Sequence, residues 1–129
     1  GIEQIKRKTE ITEKRKLYAI ALRERLVNCK LIKGWVPIDK DFAPFMNVAF
    51  FEANLRDLVI SKLSSLNIQT GIHWKPGHLF TKFHNVQKGD LSGTYKFYNK
   101  IISLPLYTDM NLETIQYVAN SVLDLENSI

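Results

Sequence analysis

The chain is short of most things that announce a function. It has one cysteine, Cys29, in 129 residues, so no intramolecular disulfide can form and no Cys pair exists for a zinc or dithiol redox motif. A lone cysteine following an amphipathic helix reads as a small buried apolar residue, not half of a catalytic dyad. No apolar run approaches the roughly 20 residues of a membrane span. The basic start, Lys6-Arg7-Lys8, leads into more charge instead of a signal-peptide core. Nothing in the sequence directs export, and the expected location is the cytoplasm. No glycine-rich phosphate loop, nucleophile elbow or paired-carboxylate arrangement is present. Intrinsic disorder is excluded by a composition that is 45% hydrophobic and 24% charged. A chain of this length is expected to fold as one domain over residues 1–129 and to bury roughly two-thirds of its unfolded surface.

Charge is unevenly placed. Through Lys33 there are ten Lys and Arg against four acids, and thereafter eight against nine, so the net +5 belongs to the first segment. Such a run on a helix is most often a solvated face, and nucleic acid is not the expected partner.

Residues 2–28 lack Pro and Gly and are rich in good helix formers, which predicts one long helix. Leu17, Tyr18, Ala21, Leu22 and Leu26 give its second half a core face, while Ile2, Ile5 and Ile11 stand among charges in a half that should project. Leu31-Ile32 can begin a strand, but Gly and Pro make Lys33 to Asp41 read as an irregular, mobile loop. Phe45 to Phe51 reads as a buried strand. Asn54 then offers an N-cap, with Asp57 completing a capping-box variant, to a helix carrying Leu55, Leu58, Val59, Leu63 and Leu66. Asn67 is placed to close that helix in a left-handed conformation.

Ile68, Thr70, Ile72 and Trp74 alternate with Gln69, Gly71, His73 and Lys75, the period of a half-buried strand, and Pro76-Gly77 stops it. Leu79 to His84 suggests one helical turn and Asn85 to Asp90 a polar loop. After a Ser92 cap, Tyr95, Tyr98, Ile101 and Ile102 recur at helical spacing, predicting a short helix that ends at Ser103. Leu104 to Tyr107 follows as an extended, Pro-containing segment. Asn111 caps a final amphipathic helix with Leu112, Ile115, Val118, Ala119, Val122 and Leu125. The mixture predicts an α+β fold: a two-layer small domain whose mainly antiparallel sheet has helices packed on one face.

The chemistry gathers on Gly71 to His78. His73, His78 and His84 invite a metal, but no Asp, Glu or Cys accompanies them in a zinc arrangement, so no metal site is expected. His73, Lys75 and His78 suit an anion better, since imidazoles and an ammonium donate charge-assisted hydrogen bonds and Trp74 offers a flat face for a sugar or base. An ordinary surface turn with Trp74 in the core fits the same residues equally well.

At this stretch the sequence resembles the C-terminal small domain of the DegT/DnrJ-type sugar aminotransferases. Three segments carry the resemblance: Asn54-Leu55-Arg56-Asp57-Leu58 running to Ile68-Gln69-Thr70-Gly71-Ile72-His73-Trp74-Lys75-Pro76, with His78 shortly after; Gly89-Asp90-Leu91 running to Ile101-Ile102-Ser103-Leu104-Pro105-Leu106; and the helix from Asn111. The basic first helix is similar to the one joining the family's two domains. The resemblance implies the small domain of a fold type I enzyme that uses pyridoxal phosphate (PLP) to move an amino group, usually from glutamate, to a keto-sugar nucleotide. It further implies a large N-terminal domain supplying the Schiff-base lysine, the acid opposite the pyridine nitrogen and the phosphate cup, in a homodimer. No catalytic or cofactor-binding residue is therefore expected in this chain, which alone should bind no PLP. His73, Trp74 and His78 are implied as substrate contacts. Trp74 stands where a tyrosine is frequent and Tyr95 where an acid is, so specificity does not carry over.

Two rival functions remain beside the enzyme fragment. One is a stand-alone binding module using the basic helix and the histidine turn for acidic partners; the other is a degenerate homologue with a structural role.

Overall fold

The computed structural model describes residues 1–39, 44–83, 85–86 and 89–129. The predicted first helix is two: α1 (Ile2–Lys6) and α2 (Lys8–Arg25), broken at Arg7, whose φ and ψ are −92° and 5°. No residue of α1 is buried, so packing does not hold it in line with α2, and a lone helical turn is marginal in water. Leu22 and Leu26 are buried as expected, and Ala19, which the pattern did not single out, is buried with them. Leu17 is not. At 3.6 residues per turn it falls on the far side of the helix from Ala19 and Leu26, and it is exposed.

The expected loop after Ile32 begins as strand β1 (Ile32–Trp35). The glycine that suggested a loop sits at a bulge: register shifts between Ile32 and Gly34, and Gly34 takes φ +156°, which residues with a Cβ rarely adopt. Val36 to Asp39 is irregular, and the rest of the expected mobile loop, Lys40 and Asp41, lies outside the described residues. Strand β2 (Asn47–Phe51) runs antiparallel to β1 on one side and to β3 (Ile101–Leu104) on the other, pairing Ala49 with Ile102 and Asn47 with Leu104.

Strand β3 corrects the helix predicted through Ile102. Its four residues are all buried, and the β-branched pair Ile101-Ile102 is drawn into long-range pairing with β2, which helical spacing from Tyr95 could not reveal. The helix there, α4 (Ser92–Tyr98), stops before it. Ser92 is its first residue and not its cap. The Asp90 carboxylate accepts from the Ser92 amide at 2.9 Å and hydroxyl at 3.0 Å, and these bonds hold its pKa below the ordinary value. Helix α3 (Arg56–Ser65) likewise starts beyond Asn54, because a turn closed by the Leu55 and Arg56 amides on the Glu52 carbonyl comes first. Asn54 caps nothing there, and the Asp57 carboxylate accepts from Arg56 at 2.8 Å.

Two local expectations stand as read. Asn67 ends α3 at φ 58°, and the Asn111 side chain accepts from the Thr114 amide at 2.8 Å to cap α5 (Leu112–Glu126). Leu22, Val59, Leu63, Ile115, Val118 and Val122 from α2, α3 and α5 pack against Ala49, Phe51, Ile102 and Leu104 on one face of the sheet. The α+β two-layer fold is thus present. On the opposite face Phe97 of α4 meets Phe50 edge-on at 5.3 Å.

Candidate functional site: an open pocket at the His73–Trp74 turn

The alternating stretch from Ile68 does not form a strand. It touches the sheet at one point, where Gly71 and Ser103 exchange amide-to-carbonyl bonds of 3.0 and 2.7 Å at the outer edge of β3. Alternation describes side-chain direction, but a ladder needs a partner of matching length, and β3 ends at Leu104 before Pro105. The chain then leaves the sheet, and the His73–Trp74 peptide bond is cis.

This departure puts His73 over the face of the sheet opposite the core helices. Ser103 pairs with Val48 and points to that face, and its hydroxyl lies 2.8 Å from His73 Nδ1. Gly71 is required here, because a Cβ would fall on the His73 ring. Trp74 is 65% exposed, which removes the reading of a core tryptophan. Its ring stands 5.5 Å from His73, edge to face, and 6.1 Å from Phe45. His73, Trp74, Phe45, Met46, Ser103 and Pro105 line an open pocket of about 480 Å³.

His78 is elsewhere. It sits on a 3₁₀ turn, Gly77–Leu79, against Tyr95 at 5.0 Å, outside that pocket's lining; its buried Nε2 has no hydrogen-bond partner among the described residues. A second turn, Thr81–Phe83, follows where one helical turn was expected. Lys75 lies over the Phe80 ring at 5.2 Å. The three cations of the anion reading therefore have three separate neighbours. Among the described residues no three His, Cys, Asp or Glu gather as metal ligands, and His84 lies outside those residues, as do Gln87 and Lys88 of the expected polar loop. Cys29 is buried, and desolvation raises its pKa, so it is no ready nucleophile. Ser103 and Gly71 are the positioning residues that pattern reading missed. The Gly71-x-His73 spacing was visible, but the Ser103 partner emerges only once β3 is a strand.

Part of the basic helix's charge is paired along its own length. Lys6 pairs with Glu3 at 2.6 Å, Arg7 and Lys14 both pair with Glu10 at 3.1 and 2.9 Å, and Lys16 approaches Glu13 at 3.7 Å. Among the described residues no helix is long and apolar enough to cross a membrane.

This architecture, a three-stranded sheet backed by helices and fronted by an aromatic pocket, is an aminotransferase domain fold. It matches the structure of Helicobacter pylori PseC, an aminotransferase of pseudoaminic acid biosynthesis, with a TM-score of 0.88 at 20% identity over 99% of this chain and 36% of that one. It also matches a Streptococcus pneumoniae chain, Spr1654, solved in PMP and PLP forms, with a TM-score of 0.85 at 20% identity over 99% of this chain and 34% of that one. In sequence it is 25% identical over 130 residues to the H. pylori UDP-4-amino-4,6-dideoxy-N-acetyl-beta-L-altrosamine transaminase, covering 95% of this chain and 34% of the relative. The chain belongs to the DegT/DnrJ/EryC1/StrS aminotransferase family, whose pattern matches residues 1–123. It spans about a third of the length of these relatives.

The family depends on PLP. Holding that cofactor takes an amine for its aldehyde, a carboxylate for its ring nitrogen and donors for its phosphate. Among the described residues the His73–Trp74 pocket is lined by no Lys, Arg, Asp or Glu, so those residues do not fit the group.

Proposed function

We propose that this chain is the C-terminal small domain of a PLP-dependent aminotransferase that passes an amino group, supplied by glutamate, to a keto-sugar nucleotide in the cytoplasm. The parent is a homodimer whose large domain brings the lysine, the acid and the phosphate cup. The small domain acts as a wall of the substrate cleft and is inactive by itself. One observation carries this reading: in a chain of this family, an exposed Trp74 and a His73 ring fixed by Ser103 share an open pocket that has aromatic and polar groups but, among the described residues, none for the cofactor.

Each residue then has a task. Trp74, with Phe45 beside it, gives a flat apolar surface on which a sugar face or a base can stack. Ser103 occupies Nδ1 of His73 and so leaves Nε2 for the substrate. His78, with its buried Nε2 unpartnered among the described residues, joins them when the large domain closes the other side of the cleft.

In the intact parent, Trp74→Ala and His78→Ala should each raise KM for the sugar nucleotide about three- to tenfold, the range that aromatic stacking supplies, and leave cofactor absorbance unchanged. Loss of cofactor in step with loss of sugar-nucleotide use would sink the assignment.

A further inference from the structure

A second groove lies across the sheet from His73, between α2 and β1, with a volume of about 420 Å³. Asn47 is wholly buried on that face, and its Oδ1 accepts from Arg23 Nε at 2.8 Å. The Arg23 guanidinium lies over the Trp35 ring, 4.8 Å from its centre. One edge of the fork is therefore tied and one face is stacked. Both terminal nitrogens remain without a hydrogen-bond partner or a carboxylate among the described residues.

The surroundings increase this surplus of donors. Asn47 Nδ2 is buried with no acceptor among the described residues. Lys33, on the groove wall, has its charge answered by Glu52 at 3.7 Å, and Glu24, which also lines the groove, is exposed and makes no ion pair with Arg23 among the described contacts. Burial pulls the Arg23 pKa down from its ordinary value. A half-buried guanidinium normally finds a carboxylate or phosphate, because two parallel N–H bonds to an oxyanion repay its desolvation.

We propose that the Arg23–Trp35 groove binds a small oxyanion, a carboxylate or a phosphate group, through the two terminal nitrogens of Arg23, with Asn47 and Trp35 fixing the fork. The site is independent of the His73–Trp74 pocket and of the sugar-aminotransferase reading. Its chemistry asks for a planar pair of acceptor oxygens at the groove mouth, and a lysine at position 23 would not replace the fork.

The test uses the 129-residue chain labelled with nitrogen-15. Trp35 and Trp74 are its two tryptophans, so two indole N–H signals report the two pockets separately. The chain is titrated in parallel with sodium phosphate, sodium glutamate and, for ionic strength, sodium chloride. The proposal expects a saturable shift of the Trp35 signal with phosphate or glutamate beyond that with chloride. The arm that saturates at lower concentration identifies the oxyanion. Arg23→Gln should weaken the response at least about tenfold and Arg23→Lys nearly as much, since a point charge cannot make the paired bonds. No response beyond chloride, or equal responses in wild type and a folded Arg23→Lys chain, would show that the Trp35 stack alone satisfies the guanidinium and would overturn the proposal.

Discussion

At the residue scale, Asn111 accepts the Thr114 amide and Asn67 adopts φ 58° because a short amide side chain suits both tasks wherever a helix begins or ends. Asn111→Ala should therefore lower stability by about 1 kcal/mol, read as a shift of the urea midpoint at unchanged slope, whereas Asn111→Gly should cost only a few tenths. Glu10 offers a test by pH. Hydrogen bonds from Arg7 and Lys14, followed by their charges, hold its carboxyl at about 2, against an ordinary 4.5. With the folded value depressed, its helix-stabilising effect is complete above the ordinary pKa and disappears as pH falls through about 2. The group is fully exposed, so salt should screen it. Carbon-13 titration of the carboxyl should give a midpoint near 2 in dilute buffer and a higher one in about 1 M salt. An identical midpoint in both would mean the pairing is absent in solution. Two of the local backbone roles read from the sequence hold, those of Asn111 and Asn67, while the caps read at Asn54 and Ser92 do not. Ser103 was not legible, because what it does depends on neighbours 30 or more positions away in the chain.

Elements were legible where one face decides them and obscure where the chain is buried on both. Helix α5 showed its stripe because Ile115, Val118, Ala119, Val122 and Leu125 face the core while Glu113, Gln116 and Asn120 are exposed, although Leu112, read as part of that stripe, is exposed in the first turn. Strand β3 lies between β2 and the Gly71 segment with all four residues buried, so it carries no alternation, and its isoleucines fit a helix or a strand equally. Leu17 fails in the opposite direction: hydrophobic and helical, it nevertheless belongs to the outer face. Paired substitutions separate the two situations. Phe51→Ala, at the fully buried end of β2, should cost about 3–5 kcal/mol, whereas Leu17→Ala should stay within about 0.5 kcal/mol. A large cost at Leu17 in the 129-residue chain would place it in a contact that this fold does not contain.

For the whole molecule, the helical layer is complete on the sheet side and bare along the start of the chain. Ile2 and Ile5 are more than 70% exposed, and with Leu17 and Ile20 they make a run of large apolar side chains outside the core. The proposed large domain gives such a run something to cover, and isolated α1 contributes no buried residue to this fold. Removing residues 1–7 should accordingly change the unfolding free energy by no more than about 0.5 kcal/mol, checked by chemical denaturation. Adding PLP to the purified 129-residue chain should produce no stoichiometric absorbance band of a lysine adduct that withstands dialysis. Such a band would overturn the division of labour between the two domains.

The single exchange between Gly71 and Ser103 also bears on solubility. Strand β3 is the outermost member of the sheet, and its sequence, Ile101-Ile102-Ser103-Leu104, is the sort that recruits a strand from another molecule. By occupying the middle of that edge with two hydrogen bonds and then turning away, the Gly71 segment blocks the template without extending it. The turn that builds the pocket thus also keeps the edge of β3 from presenting an uninterrupted row of unpaired backbone groups.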